Sequence, residues 1–203
     1  MKTSKLTALV FVLGAITYSS KVDAQNVSNI LQIGRESRTL LVQVNRQEAE
    51  AYVTRGIARR QSGDVKGAIE DYNEALRINP NYVKAYVIRG IARRQSGDVK
   101  GAIEDYNQAL RINPNFAEAY VARGITRRQS GDVEGAIEDY NQALRINPNL
   151  ADAYRNRGIA HRISGHMKEA TTDLQKASEL FQQQGKISEY QYTLDLIKRI
   201  NIK

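Results

Sequence analysis

The three prolines of this chain, Pro80, Pro114 and Pro148, stand 34 residues apart. Tyr52, Tyr86, Tyr120 and Tyr154 keep that spacing, and so do Gly56, Gly90, Gly124 and Gly158. Residues 49–82 and 83–116 are identical at 29 of 34 positions, and residues 117–150 match the second stretch at 28. A more divergent fourth copy begins at Ala151. A unit this short cannot bury its apolar face alone, so each copy must stack on the next and form a solenoid.

Punctuation within one unit predicts two helices. In the second unit Pro80 stops the preceding helix and Asn81 is placed to cap the next. Gly97 supplies a left-handed stop, and Asp98 then caps a second helix at the positive end of its dipole. That helix carries Val99, Ala102, Ile103, Tyr106, Ala109, Leu110 and Ile112, a stripe of helical period. Gly90 lies inside the first helix, where it costs about 1 kcal/mol against alanine. Its return in every unit implies that the paired helix approaches too closely for a side chain.

These residues resemble the tetratricopeptide (TPR) repeat pattern. In the first unit Tyr52 stands for the family's Trp, and Gly56 for its Gly. Ala68 and Tyr72 stand for A-x3-F, Ala75 for the second small position, and Pro80 for the Pro. Arg55 and Arg59 depart from the usual Leu and Tyr. The resemblance implies an all-α fold, a right-handed α-solenoid of four helix-turn-helix units over residues 49–82, 83–116, 117–150 and 151–184. It also implies a concave groove lined by the first, or A, helix of each unit.

The ends read differently. Lys2 and Lys5 precede an apolar stretch of 11 residues from Leu6 to Ile16, and Val22, Asp23 and Ala24 follow. That is the layout of a secretory signal peptide over residues 1–24, cleaved after Ala24. The apolar run is too short to span a bilayer, which needs about 20 residues. The expectation is an exported protein of the bacterial type, periplasmic or secreted, without a stable membrane anchor. Ile30, Ile33, Leu40, Leu41 and Val44 predict a capping helix over residues 25–48 in the place of a missing second helix, with a short strand over residues 39–44 as the alternative. Ile187, Tyr190, Leu194 and Ile197 predict a C-terminal solvating helix within residues 185–203.

Little in the chain supplies enzyme chemistry. Cysteine is absent, and the two histidines, His161 and His166, are five residues apart, so they do not share a helix face. No phosphate loop, nucleophile elbow or metalloprotease pattern is present. The expectation is no catalytic residue, no metal and no cofactor.

Arginine is the informative residue. Position seven of each unit holds Arg55, Arg89, Arg123 and Arg157; position eleven holds Arg59, Arg93, Arg127 and then His161. Both positions face the second, or B, helix in the family, so these cations need partners, and Asp71, Asp105, Asp139 and Asp173 at position 23 supply them. Position 22 changes from Glu to Thr172 where Arg becomes His161, which hints at a contact between positions eleven and 22.

The resemblance places positions two, five, nine, twelve and thirteen on the groove. Val53, Ile57, Arg60 and Gln61 in the first unit are followed by Lys84, Val87, Ile91, Arg94 and Gln95 in the second. Val121, Ile125, Arg128 and Gln129 follow in the third, and Arg155, Ile159 and Arg162 in the fourth, with Glu50 and Glu118 at position two of the first and third units. The result is an aliphatic strip beside a row of arginines. Family members that grip chaperone C-termini need Asn at position nine, where this chain has Ile, so that ligand is not expected. The expected partner is a protein or peptide segment with apolar anchors and acidic flanks, since arginine pairs carboxylates in a forked geometry. The net charge of +8 offers binding of a polyanion as the alternative, and self-association of near-identical units is the third. The second repeat carries +3 but the first and third carry 0 and −1, so no continuous basic stripe results and nucleic acid is not expected.

Overall fold

The structure is a computed structural model that describes residues 24–201. The expected signal peptide lies outside the described residues up to residue 23. Among the described residues there are nine helices and no strand. They are α1 (Ala24–Gln61), α2 (Val65–Ile78), α3 (Val83–Gln95), α4 (Val99–Ile112), α5 (Ala117–Gln129), α6 (Val133–Ile146), α7 (Ala151–Ile163), α8 (Met167–Gln183) and α9 (Ile187–Asn201). No described helix is long and apolar enough to cross a membrane. The fold is an all-α helical repeat solenoid.

The chain divides into a unit ending at Gln47 and one starting at Glu48. In the first unit the helix passes through residues 39–44, so the strand alternative does not occur. The segment is helical as part of α1. Leu31, Ile33, Leu40, Leu41, Val42 and Val44 are all exposed along this segment.

In the second unit each repeat is a helical hairpin. Gly63, Gly97, Gly131 and Gly165 take φ between +80° and +95° at the hairpin turns, a conformation that disfavours a Cβ. Asp98 then accepts a hydrogen bond from Gly101 N–H at 2.9 Å, and Asp64 and Asp132 repeat the cap. Asn81 does not cap α3, whose first turn has no side-chain cap. Its N–H instead donates to Asn79 Oδ1, and Asn113 and Asn147 make the same turn in later units. The amide side chain before each Pro therefore shapes the loop, and the helix starts one residue later than expected.

The glycine inside each A helix is explained by the B helix. A Cβ on Gly90 would sit 2.6 Å from Tyr106 Cε1, and Gly56 and Gly124 face Tyr72 and Tyr140 in the same way. Those tyrosines are fully buried beside Ala68, Ala75, Ala102, Ala109, Ala136 and Ala143. At the C-terminus α9 packs on α8, with Thr193 and Leu196 buried. Ile187, expected on that buried face, is 60% exposed, because it is the first residue of the helix and lies next to the turn at Gly185.

Candidate functional site

Two of the three arginine positions are used inside the fold. Arg89 Nη2 lies 2.6 Å from Asp105 Oδ1, and its Nη1 donates to Asn73 Oδ1 of the preceding B helix at 2.7 Å. Arg123 and Arg157 repeat both contacts, with Asp139 and Asn107, and with Asp173 and Asn141. Each of these guanidinium groups also lies within about 5.5 Å of the ring centroid of the tyrosine three residues earlier. Arg93 Nη1 reaches Asp105 Oδ2 at 3.2 Å and donates to the Gly101 carbonyl. One buried carboxylate thus serves two cations, which makes desolvation tolerable. The expected contact between positions eleven and 22 is not formed among the described residues: the arginines at eleven turn to Asp at 23 and to the cap aspartate. In the fourth unit His161 Nε2 stands 3.8 Å from Asp173, and burial lowers its pKa.

Position twelve differs. Arg60, Arg94 and Arg128 are half-buried above Tyr72, Tyr106 and Tyr140. Burial pushes the Tyr140 hydroxyl up to about 12, and the nearby Arg128 guanidinium opposes the shift. Arg94 Nη1 donates to Gln129 Oε1 at 2.9 Å, tying α3 to α5. Its partner is neutral, so its charge stays uncompensated by that bond.

The structure gathers only part of the expected strip into one cavity. A space of about 290 Å³ opens between α3, α5 and α7, lined by Ile91, Arg94, Val121, Ile125 and Arg155 among the expected residues. Val53 and Val87 are 5% and 6% exposed and belong to the core between helices. Ile57 packs against the first core cluster. Lys84, Gln61, Gln95 and Gln129 are exposed, and Ile159 is half-buried; none of them borders the cavity. Arg162 borders a different hollow, with Met167 and Arg199.

Glu118, at groove position two of the third unit, also lines the cavity; sequence reasoning missed Tyr106, Ala122, Leu150, Asp152 and Asn156, which complete the lining. Glu118 and Asp152 occupy groove position two, so the periodic rule that found the strip also reaches them. Tyr106 comes from a B helix, behind the gap that the small A-helix residues leave. Its hydroxyl is fully buried, with Thr126 and Arg94 beside it. Asp152 holds Arg155 at 2.5 Å, and Arg155 also stacks on Phe181 at 5.0 Å. The cavity is therefore lined by aliphatic side chains together with Arg94 and Arg155 and the carboxylates Glu118 and Asp152.

These features define a helical-repeat solenoid with an apolar cavity on its A-helix face. The chain belongs to the TPR repeat family, whose model matches residues 56–93, 90–127 and 124–165, more than half of its length. Comparison with curated proteins gives no match. Among solved structures, that of MamA is 22% identical over 82% of this chain and 99% of its own, with a TM-score of 0.62. Pseudomonas aeruginosa PilF is 18% identical over 76% of this chain and 77% of its own, with a TM-score of 0.63. The first TPR of Spaghetti (RPAP3), bound to the HSP90 peptide SRMEEVD, is 23% identical over 59% of this chain and 95% of its own, with a TM-score of 0.57. At these identities the likeness is one of fold.

Proposed function

We propose that this chain is a non-enzymatic interaction scaffold that takes an apolar side chain of a peptide or protein segment into the cavity between α3, α5 and α7. The carrying observation is the cavity itself, in which Ile91, Val121 and Ile125 leave apolar surface unfilled. Such a space suits one anchor residue, with a few polar groups to orient it. Arg94 beside the cavity favours an acidic neighbour of the anchor, while Glu118 and Asp152 disfavour a second one. A peptide bound to the related Spaghetti fold supports a peptide as occupant. Ile at position nine here gives the cavity a different chemistry from a carboxylate clamp. We place the protein outside the cytoplasm, on the layout of residues 1–24.

Selection of random displayed peptides on the purified chain tests this. The retained sequences should share an apolar anchor, and Ile125→Asp should weaken them at least tenfold while leaving helicity intact. Retained peptides that lack an anchor, or that bind Ile125→Asp as well as wild type, would contradict it. Polyanion binding is the second reading, supported by the net charge of +8. It requires affinity that falls steeply with salt.

A further inference from the structure

Among the described residues, no B helix precedes the first A helix as one precedes every later A helix. Each B helix carries three side chains spaced i, i+4 and i+7: Ile69, Asn73 and Leu76, then Ile103, Asn107 and Leu110, then Ile137, Asn141 and Leu144. The Asn accepts from the position-seven arginine of the next A helix. Leu110 clusters with Ala119, Leu144 with Ala153, and Ile137 with Ala160. On the later A helices Ala85, Ala119 and Ala153 at position three, and Ala92, Thr126 and Ala160 at position ten, are fully buried.

In the first unit the same surface is open. Ala51, Thr54 and Ala58 are exposed. Arg55 binds Asp71 but, among the described residues, no amide, and its side chain is 56% exposed where Arg89, Arg123 and Arg157 are 15%, 16% and 20%.

The segment before Gln47 carries the complementary face. Ile33, Ser37 and Leu40 repeat the spacing apolar, polar acceptor, apolar. Ile33 and Leu40 are 53% and 62% exposed. Gln32, Glu36 and Thr39 stand where a B helix has its inward Ala, Tyr and Ala, so this helix has the face that covers a following unit but not the face that closes a hairpin. The segment and the first A helix belong to one helix, α1, which runs from Ala24 to Gln61.

We propose that the chain self-associates by exchange of this segment: the helix before Gln47 of one copy lies antiparallel on the first A helix of a second copy. Ile33 then covers Ala58, Leu40 covers Ala51, and the Ser37 hydroxyl accepts from Arg55, all in one antiparallel register. Each copy has one donor segment and one open face, so reciprocal exchange closes a two-fold dimer.

Sedimentation of the full chain tests the proposal. Wild type should show a concentration-dependent dimer, and Ser37→Asn, which restores the amide, should tighten it about fivefold. Leu40→Asp and Ala58→Arg should each produce monomers with unchanged helicity. An equimolar mixture of those two variants should recover association, because the intact segment of one meets the intact face of the other. Wild type that stays monomeric at all concentrations would overturn the proposal. So would a dimer indifferent to Leu40→Asp and Ala58→Arg, or variants that dimerise no better mixed than alone. A monomer in which Leu40→Asp lowers thermal stability would instead show that the segment breaks from α1 and covers its own chain.

Discussion

Asp105 is 3% exposed and holds both Arg89 and Arg93, so the charge it neutralises is its main contribution to stability. Asp105→Ala strands two cations and should destabilise the fold by about 3–5 kcal/mol, read from denaturant unfolding. Asp71→Ala should cost less, because Arg55 keeps access to water. The Arg–Asp pairing was legible in the sequence, since the same 16-residue offset recurs in four copies. The Asn contact was not, because it crosses from one repeat to the next and a single unit contains only half of it. The joint change at Thr172 and His161 misled for a related reason: one divergent copy gives one event, which carries no information on contact. Tyr140 adds a pH dependence. Its folded pKa, about 12, exceeds the ordinary value of 10, so the folded state holds its proton more tightly. Stability from this group is fully present below about pH 10 and is lost as pH rises towards 12. Thermal unfolding against pH should show that decline, and Tyr140→Phe should reduce it.

At the scale of the element, glycine and aspartate made the hairpins readable. Gly97 at φ +88° and Asp98 over the Gly101 N–H form the turn that the sequence predicted. Asp98→Ala should lower stability by about 1 kcal/mol. His166 occupies the same place in the fourth hairpin but makes no cap bond, so His166→Ala should change stability much less in the same melting experiment. The start of each A helix was misplaced because Asn-Pro-Asn offers two residues able to cap, and the one before the proline takes the role within the turn. The N-terminal segment was legible as helical by its apolar stripe. Its continuity with the first A helix was not, since no residue near Asn45–Glu48 marks either a stop or its absence.

For the whole molecule, the solenoid followed from periodicity alone, because stacking is the way a short repeat buries its core. The cavity did not follow from periodicity. Near-identical units have near-identical groove residues, yet Val53 and Val87 are buried while Val121 lines an open space. The difference arises in the fourth unit, where Arg155 replaces valine and draws towards Asp152 and Phe181. Removal of residues 83–116 should leave a helical protein that unfolds cooperatively at lower temperature, as nearest-neighbour contacts require. Loss of circular-dichroism helicity in that deletion would contradict it. On the proposal that residues 1–24 are a cleaved signal peptide, amino-terminal sequencing of protein recovered outside the cytoplasm should begin at Gln25, and an intact Met1 would contradict it. The binding claim itself is tested most directly by methyl NMR of the isoleucines and valines during titration with a peptide selected on the chain. Resonances of Ile91, Val121 and Ile125 should shift together and saturate at one peptide per chain, while those of Ile69, Ile103 and Ile137 stay in place. Shifts confined to the B-helix isoleucines, with the cavity methyls unmoved, would contradict binding in the groove.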